Sequence, residues 1–454
     1  MIAPARSVAY DILCAISAGR ADLPAAIAYA RGTLEDERDR ALAAEIATGV
    51  QRWRGALDHV IVHFAKRPIA RLDREIVEIL RLSAYQLLHL TRVPASAVVD
   101  DAVNLAKRER KTSASGLVNA VLRAISRHRD SLPLPPVPAD ATDRSAALDY
   151  LSISLSHPRW LAARWYDRFG FEGARTWMEF NNRPAPLTLR LNRLRMDRDE
   201  LLSKLRADDV ETTPTRFAPD GLVVESGHPL RGPALDEGWF VVQDEASQLV
   251  ALLAGDRPGP RVLDTCASPG GKTTAIASAM SVGGAPGRII ACDVRDKRIE
   301  LLRRTVQASG ATNVLVVQAD LLQPLPFSGR FDCVIVDAPC SGLGTLRRDP
   351  DIRWRRREED LAELSAAQLR MLQHAGAMVA PGGRLVYATC SSEPDENEAV
   401  IDRFVTASPA FQIVPANRAS TVLPHDVVDS RGFLRTLPHV HALEAFFGAV
   451  LQLS

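Results

Sequence analysis

The chain has 454 residues, 46% of them hydrophobic and 24% charged, which is enough for about three globular domains with hydrophobic cores. Basic and acidic side chains nearly balance at a formal net charge of +1, so any nucleic-acid surface must come from local clusters of charge. No uncharged apolar run approaches the ~18 residues that span a bilayer, and Arg6 and Asp11 fall where an export signal needs apolar residues. We therefore expect a cytoplasmic protein with no membrane association.

The six cysteines form no CxxC pair. This spacing argues against a disulfide scaffold and a structural zinc site, so we expect free thiols and no bound metal. Two of the cysteines, Cys340 and Cys390, follow predicted strands. For the others we expect an inert, hydrophobic role: Cys14, Cys266, Cys292 and Cys333.

Residues 1–130 are predicted to be helical throughout. Apolar side chains recur at helical spacing, for example at Val8, Ile12 and Ile16, and strand-like alternation is absent. A proline-rich stretch that begins at Leu132 then predicts an interdomain linker over residues 131–145. The front part of the chain is therefore expected to be an all-α domain.

Residues 146–240 have a mixed pattern. A helix is predicted from His157, with Pro158 suited to its first turn, and the alternation from Leu187 to Asn192 is typical of a strand. We expect a small α+β domain here, and the residues alone do not indicate its role.

From residue 241 to 454, short apolar runs alternate with helical segments. Five of these runs are buried-strand candidates, and they begin at Arg261, Arg288, Val314, Phe331 and Arg384. Alternation of this kind predicts a doubly wound α/β sheet that is parallel in its centre. In such sheets ligands bind at the carboxyl ends of the strands, near the point where the strand order reverses.

A glycine-containing loop, Asp264-Thr-Cys-Ala-Ser-Pro-Gly-Gly-Lys-Thr-Thr, joins the first of these strands to a helix. It is not a Walker A phosphate loop, because the residue five positions before Gly271 is Cys266 rather than glycine, and a GxGxxG pattern is also absent. Asp293 ends the next strand, where a carboxylate can bind ribose hydroxyls, and Asp320 ends the third, within reach of an adenine amino group. The loop and these acids together favour S-adenosylmethionine over ordinary turn-forming aspartates.

Cys340 and Cys390 follow the fourth and fifth strands, so their thiols are expected to open into one cleft. Carbon 5 of cytosine is a poor nucleophile until a nucleophile adds to carbon 6, and a thiolate can make that addition. Asp337 lies three residues before Cys340. We interpret it as a carboxyl group that stays protonated and donates a hydrogen bond to the cytosine ring nitrogen.

These stretches resemble the RNA 5-methylcytosine methyltransferases, in particular the RsmB (Sun/Fmu) group that modifies small-subunit ribosomal RNA. The resemblance spans nearly the whole chain. It implies that S-adenosylmethionine is bound by Asp293, Asp320, Asp337 and the loop residues Cys266, Ala267, Ser268, Pro269, Gly270, Gly271 and Lys272. It also implies that Cys390 is the nucleophile and that Cys340 assists release of the product. DNA cytosine methyltransferases attack from the Pro-Cys cysteine instead, so possession of both cysteines favours RNA.

The helical front part resembles the RNA-binding NusB fold through the stretches that begin at Leu80 and Val118. The resemblance therefore implies three parts: a NusB-like all-α domain, a small α+β domain and a Rossmann-like methyltransferase domain. One departure is visible near the end, because the family's His-Gly-x-Asp-Gly-Phe-Phe segment reads His441-Ala-Leu-Glu-Ala-Phe-Phe here. Two expected glycines are thus alanines.

The expected partner is RNA, most simply 16S rRNA or a small-subunit assembly intermediate, and the chain is expected to be a monomer. Two alternatives stay open from the residues: the same chemistry on tRNA, or a non-catalytic NusB-like RNA-binding or antitermination factor. The RNA contacts are predicted in the basic stretch after Cys340, at Arg347, Arg348, Arg353 and Trp354. A second basic cluster, Lys107–Lys111 with Arg123–Arg129, is as well explained by a solvated charged face.

Overall fold

The computed structural model describes residues 2–282 and 287–454. They form two compact units. The first, here called the helical unit, comprises Met1–Pro184 with Leu346–Glu358, and the second, here called the sheet unit, comprises Ala185–Thr345 with Glu359–Ser454. Each unit is described by itself below.

The helices of the described residues begin and end as follows: α1 Pro4–Ser17, α2 Leu23–Arg31, α3 Glu37–Ala65, α4 Arg74–His89, α5 Ala95–Arg108, α6 Ser115–Arg127, α7 Arg144–Asp149, α8 Arg159–Asn182, α9 Arg198–Ala207, α10 Glu245–Leu252, α11 Gly271–Val282, α12 Asp296–Ser309, α13 Ile352–Arg355, α14 Asp360–Gly376, α15 Glu398–Ala407, α16 Ala416–Ala419 and α17 Pro438–His441.

The strands are β1 Thr188–Leu191, β2 Glu211–Pro214, β3 Gly221–Ser226, β4 Phe240–Val242, β5 Arg261–Asp264, β6 Arg288–Asp293, β7 Val314–Gln318, β8 Phe331–Asp337, β9 Val379–Thr389, β10 Phe411–Val414, β11 Leu434–Arg435 and β12 Phe447–Leu453. All five runs predicted as buried strands are strands in the structure. The strand predicted at Leu187–Asn192 is β1.

In the helical unit, the apolar faces of α1 to α6 form one core. Ile76, Ile79 and Leu80 of α4 illustrate the 3.6-residue spacing, since each is at most 1% exposed. The predicted linker contributes to the same unit, because Leu132 and Leu134 pack against this core. The prediction of an all-α front part is therefore confirmed.

Residues Leu346–Glu358 are a segment of the helical unit that the sequence did not predict. Arg353 of this segment is completely buried, and its guanidinium donates to the carbonyl oxygen of Ser156 and to Oδ1 of Asn182, both at 3.0 Å. Trp354 donates its indole N–H to the carbonyl oxygen of Gln51 at 2.6 Å. The segment is therefore held by hydrogen bonds to main-chain and side-chain groups of the helices.

The sheet unit begins with a small antiparallel sheet in the order β2-β3-β1-β4. One face of this sheet packs against α9, through Leu189 and Leu191 on the sheet and Leu201 and Leu205 on the helix. The small α+β region was predicted from residue 146, whereas α7 and α8 belong to the helical unit. The predicted boundaries at 130, 145 and 240 remain predictions, and the two compact units divide the chain at other positions.

The larger sheet of this unit has the order β10-β12-β9-β8-β5-β6-β7, with β11 beside β12. The strands from β9 to β7 are parallel, whereas β12 runs antiparallel to both β9 and β10. Apolar side chains fill both faces, one against α10, α11 and α12 and the other against α14 and α15. The strand order reverses beside β5, which places a ligand crevice at the carboxyl ends of β5, β6 and β8. The predicted doubly wound sheet is confirmed.

Among the described residues, no helix combines the length and the apolar character that crossing a bilayer requires.

Candidate active site

The loop between β5 and α11 occupies the carboxyl end of the central strand. Gly270 has a φ of +106°, a conformation that side chains rarely adopt, and it lies against Leu302 and Thr305 of α12. Within the loop, the backbone N–H of Ser268 donates to the carboxylate of Asp293 at 3.3 Å. The loop is therefore fixed to the neighbouring strand end, and its backbone lies beside the N-terminus of α11.

The two acids predicted to bind an adenosine lie at the ends of the next strands. Asp293 ends β6, is 4% exposed, and accepts a hydrogen bond from the N–H of Val294 at 2.8 Å. Asp320 follows β7, is exposed, and accepts from the N–H of Leu322 at 2.9 Å. Because β5, β6 and β7 are adjacent and parallel, the loop and both acids share one edge of the sheet. Carboxylates beside a glycine loop without a phosphate cradle fit an adenosine-bearing cofactor such as S-adenosylmethionine.

A metal-dependent reading gains no support from the side chains. Within residues 2–282 and 287–454, no group of three or more His, Cys, Asp and Glu side chains is arranged to hold a metal ion.

The thiols of Cys340 and Cys390 meet at the ends of β8 and β9. The two strands are parallel neighbours, with Asp337 opposite Ala388, so the loops that follow them run side by side. The two sulfur atoms lie 3.2 Å apart. The structure thus brings together the two thiols that the sequence placed in one cleft.

The surroundings of Cys340 favour its thiol form. The hydrogen bond to Cys390, together with burial, raises the pKa of Cys340 well above that of an ordinary thiol, which favours its protonated form. Burial likewise raises the pKa of Cys14 to about 11 and the pKa values of Cys292 and Cys333 to about 12. All six cysteines are free thiols. Burial raises the pKa of Cys266 as well. The four cysteines outside the cleft are thus poor nucleophiles.

Lys272, the second residue of α11, forms an ion pair with Asp337, and Nζ lies 2.6 Å from Oδ2. Burial disfavours the ammonium, but Asp337, with a smaller contribution from Cys390, raises the pKa of Lys272 above its ordinary value. A positive charge is therefore kept beside the nucleophile candidate. The sequence predicts only a cofactor-binding role for Lys272. Its contact with Asp337 depends on which strands are neighbours, and the sequence patterns do not specify this.

The ion pair bears on the role of Asp337. In this structure one of its carboxyl oxygens accepts a hydrogen bond from the ammonium of Lys272 at 2.6 Å. The hydrogen bond expected from a protonated Asp337 to the cytosine ring remains a prediction.

Gly344 connects three segments around the thiols. Its N–H donates to the carbonyl oxygen of Cys390, and its own carbonyl oxygen accepts from the N–H of Ala445, each at 2.9 Å. A Cβ atom at this position would lie 2.0 Å from the oxygen of Ala445 and 2.7 Å from that of Cys390. The close approach of these segments therefore requires glycine.

Glu396 is a buried carboxylate behind the thiols, and it supports both loops. It accepts hydrogen bonds from the N–H of Ser341 at 2.8 Å and from the hydroxyl of Ser391 at 2.5 Å, so each residue after a cleft cysteine is held by the same side chain.

The predicted RNA contacts lie in Leu346–Glu358, within the helical unit. The complete burial of Arg353 contradicts its predicted contact with phosphate. Arg347 donates to the carbonyl oxygen of Pro184 at 2.6 Å, and Trp354 bonds Gln51 as described above. The contacts predicted for Arg347, Arg348 and Trp354 remain predictions. In the other basic cluster, Arg108 and Lys111 form ion pairs with acids, as a charged surface face does.

Three family models match the chain in succession. The model described as the NusB family matches residues 3–127, the RsmF/B-like ferredoxin-like domain matches 157–231, and 16S rRNA methyltransferase RsmB/F matches 251–452. The matches follow the order of the all-α, small-sheet and large-sheet regions described above.

Curated relatives extend over nearly the full length. The chain is 35% identical to the probable ribosomal RNA small subunit methyltransferase B of Synechocystis sp., covering 91% of each chain. It is 33% identical to the ribosomal RNA small subunit methyltransferase B of Pseudomonas putida, covering 92% of this chain and 93% of that one. Among solved structures, the crystal structure of PH0851 superposes with a TM-score of 0.79 at 26% identity and covers 99% of both chains.

Proposed function

The chain belongs to the RsmB/F family of 16S rRNA methyltransferases, and on that premise we propose that it methylates carbon 5 of a cytosine in small-subunit rRNA, with Cys390 as the nucleophile. It is an S-adenosylmethionine-dependent methyltransferase with an N-terminal NusB domain. The observation that carries the proposal is the pair of thiols 3.2 Å apart, next to the ion pair of Lys272 and Asp337.

S-adenosylmethionine would be held by the loop Cys266–Lys272 and by Asp293 and Asp320, whose carboxylates suit its ribose and adenine. Asp337 is placed one strand further along, beside the thiols. The bound cofactor supplies an electrophilic methyl group at this edge of the sheet.

The first step assigned to the protein is the addition of Cys390 to the base. Its thiolate forms a bond from Sγ to carbon 6 of cytosine, and the electron pair of the 5,6 double bond moves to carbon 5, which becomes nucleophilic. The ammonium of Lys272 stabilises the thiolate before attack, because opposite charges in a site of low exposure attract strongly. The carboxylate of Asp337 is suited to accept a hydrogen bond from the cytosine amino group and so to orient the ring.

The second step assigned to the protein is release. After carbon 5 has gained the methyl group, it must lose its proton, and the electron pair of that C–H bond then re-forms the double bond while the bond from carbon 6 to Sγ of Cys390 breaks. Cys340 is placed to take part, since its sulfur lies beside that of Cys390. Cys340 can accept the proton of carbon 5 only as a thiolate, so it first gives its own proton to solvent water.

RNA is the partner that the family membership and the NusB domain support, and the proposed substrate is 16S rRNA in the cytoplasm. The target base has to leave its stack to reach a thiol at the strand ends. This requirement favours a loop or an otherwise unpaired cytosine, because stacked bases in an A-form helix are closed to such a site.

The experiment compares Cys390→Ala, Cys340→Ala and the control Cys14→Ala on rRNA and tRNA from a strain that lacks the gene. We expect Cys390→Ala to lose methyl transfer and to trap no RNA, whereas Cys340→Ala accumulates a covalent RNA adduct and Cys14→Ala behaves as the unchanged protein. Sequencing of the adduct identifies the cytosine. Exchanged results would assign attack to Cys340, an adduct on tRNA would overturn the rRNA substrate, and full activity of both cleft variants would overturn the thiol mechanism.

A further inference from the structure

The loops that follow β8 and β9 place matching side chains opposite each other. The sulfur atoms of Cys340 and Cys390 lie 3.2 Å apart. The hydroxyl oxygens of the next residues, Ser341 and Ser391, lie 3.1 Å apart. A sulfur–sulfur bond is about 2.05 Å long, so the two sulfurs are only about 1.2 Å too far apart for a covalent bond. Small rotations about the Cα–Cβ bonds of the cysteines supply a movement of this size.

Hydrogen bonds from neighbouring groups hold the two loops at this spacing. Glu396 accepts from the N–H of Ser341 at 2.8 Å and from the hydroxyl of Ser391 at 2.5 Å, so one buried carboxylate fixes the residue after each cysteine. The N–H of Gly344 donates to the carbonyl oxygen of Cys390 at 2.9 Å, which ties the first loop to the backbone of the second. The meeting of the two sulfurs therefore follows from the backbone of both loops.

A molecule as small as a peroxide can reach this pair of thiols. Cys340 and Cys390 are partly exposed, whereas Cys292 and Cys333 are completely buried. The ammonium of Lys272 interacts electrostatically with Cys390, and a neighbouring positive charge stabilises a thiolate. Thiolate character and exposure together make a cysteine susceptible to oxidation.

We infer that Cys340 and Cys390 form a reversible disulfide when the site meets a peroxide, and that this bond switches methyl transfer off until a dithiol reduces it. Disulfides that occur in a reducing cytosol are mostly transient and serve catalysis or redox sensing. The loss of activity rests on the proposed function, in which Cys390 is the nucleophile, whereas formation of the bond does not depend on it.

The oxidation by hydrogen peroxide consists of two displacements. The thiolate sulfur of Cys390 first attacks one peroxide oxygen, so that a sulfur–oxygen bond forms and the oxygen–oxygen bond breaks. The hydroxide that leaves takes up the proton that Cys390 released to solvent. The sulfur of Cys340 then attacks the sulfur of this sulfenic acid, the sulfur–oxygen bond breaks, and the second hydroxide takes up the proton of Cys340. The two thiols lose two electrons, the peroxide gains them, and two water molecules result.

The second thiol decides whether this oxidation can be reversed. A sulfenic acid with no thiol in reach is oxidised further to a sulfinic acid, which thiols do not reduce. With Cys340 only 3.2 Å away, the sulfenic acid at Cys390 is instead captured as a disulfide, and dithiothreitol restores both thiols. Cys340 thereby protects the nucleophile from irreversible loss.

The test treats the full chain, freed of RNA, with a small molar excess of hydrogen peroxide and then with dithiothreitol. Peptide mass spectrometry after alkylation of the remaining thiols locates any disulfide, and methyl transfer is assayed on rRNA from a strain that lacks the gene. We expect one disulfide, between Cys340 and Cys390, a fall in methyl transfer of about tenfold or more, and recovery with dithiothreitol. The matched control Cys14→Ser, which changes another partly exposed cysteine, should form the same disulfide.

The variant Cys340→Ser removes the capturing thiol. In this variant we expect the same treatment to convert Cys390 to a sulfinic acid, detected by its mass and not reversed by dithiothreitol. Circular dichroism shows whether the variant is folded. If it is not, the disulfide map of the unchanged protein and of Cys14→Ser carries the test.

A disulfide at other cysteines, or a sulfinic acid at Cys390 of the unchanged protein without a disulfide, would overturn the inference. Full recovery of the Cys390 thiol in a folded Cys340→Ser variant would overturn it as well. If the disulfide forms and methyl transfer persists, both the switch and the nucleophile assigned to Cys390 are wrong. If no disulfide forms while Cys390→Ala is inactive, the proposed function stands and this inference alone fails.

Discussion

The ammonium group of Lys272 lies 2.6 Å from the carboxylate of Asp337, and this ion pair joins the first turn of α11 to the end of β8. The lysine side chain is 14% exposed and the aspartate side chain 27%, so the pair is partly screened from solvent. The ammonium group interacts electrostatically with two neighbours, Asp337 and Cys390.

Replacing this ammonium is expected to slow the addition of the thiol. For Lys272→Met we expect single-turnover methyl transfer to fall by about 10²-fold or more, because the thiolate loses its neighbouring charge. We also expect the rate to rise at a higher pH than in the unchanged protein. A pH–rate profile checks both effects, with the exposed Lys297→Met as the control. If Lys272→Met instead loses only affinity for S-adenosylmethionine, the residue is a cofactor ligand and not an activator of the thiol.

Gly344 offers a second test, of geometry rather than charge. A Cβ atom there would lie 2.0 Å from the carbonyl oxygen of Ala445, so Gly344→Ala must push the segments around the thiols apart. We expect kcat to fall by about tenfold or more, with the Kd for S-adenosylmethionine changed less than about threefold. Gly329→Ala is the matched control, because nothing lies within 4 Å of a Cβ at that position. Equal kinetics in the two variants would contradict the close-approach argument.

Most of the candidate site could be predicted from the sequence because its residues end predictable strands. Apolar runs marked β5, β6, β8 and β9, and a parallel sheet necessarily gathers their carboxyl ends. The strand order does not follow from these patterns, so the sequence does not predict the contact between Lys272 and Asp337.

The segment after Cys340 shows where the patterns misled. Arginines and a tryptophan that follow a cleft cysteine in the sequence are typical of RNA contacts. Arg353, however, belongs to the helical unit and is buried within it. Its partners are backbone carbonyls and an amide, groups that no sequence motif marks. Long-range burial of a charged side chain depends on the tertiary fold.

Arg353 is consequently expected to contribute to stability. For Arg353→Met we expect the helical unit to lose about 2 to 4 kcal/mol, because the carbonyl oxygen of Ser156 and Oδ1 of Asn182 would lose their donor while buried. Urea unfolding with hydrogen exchange measures the loss and locates it. The control Arg129→Met, at a position whose side chain is 66% exposed, should change stability by less than about 0.5 kcal/mol. A comparable loss in both variants would count against a structural role for burial.

Asp264 predicts a pH dependence of stability. It is 1% exposed, and burial raises its pKa to about 6, opposed by a hydrogen bond from the hydroxyl of Thr273. The unfolded chain releases this proton first, near the ordinary value of 3.8, so the folded state is destabilised as pH rises from about 4 to about 6. We expect the difference in free energy of unfolding between Asp264→Asn and the unchanged protein to shift by about 2 to 3 kcal/mol in favour of the variant from pH 4 to pH 8. Denaturant unfolding at the two pH values measures this difference, with Asp236→Asn at an exposed position as the control. An equal change in the free energy of unfolding at both pH values would contradict a buried ionisable group.

Ala442 is one of the two alanines that replace family glycines, and it has a φ of +58°. An L-residue other than glycine pays for this left-handed conformation with steric strain of about 1 kcal/mol, so Ala442→Gly removes strain from the end of α17. The entropy that glycine adds to the unfolded chain offsets most of this gain. We therefore expect a net stabilisation of about 0.5 kcal/mol or less.

The second replacement, Ala445, gives the matched comparison. Its N–H bonds the carbonyl oxygen of Gly344, and no left-handed φ occurs there, so Ala445→Gly is expected to destabilise the chain by about 0.5 to 1 kcal/mol. Differential scanning calorimetry of the two variants should therefore give Tm changes of opposite sign. A lower Tm for both would mean that the backbone strain at Ala442 is too small to outweigh chain entropy, and that this loop tolerates its alanines without cost.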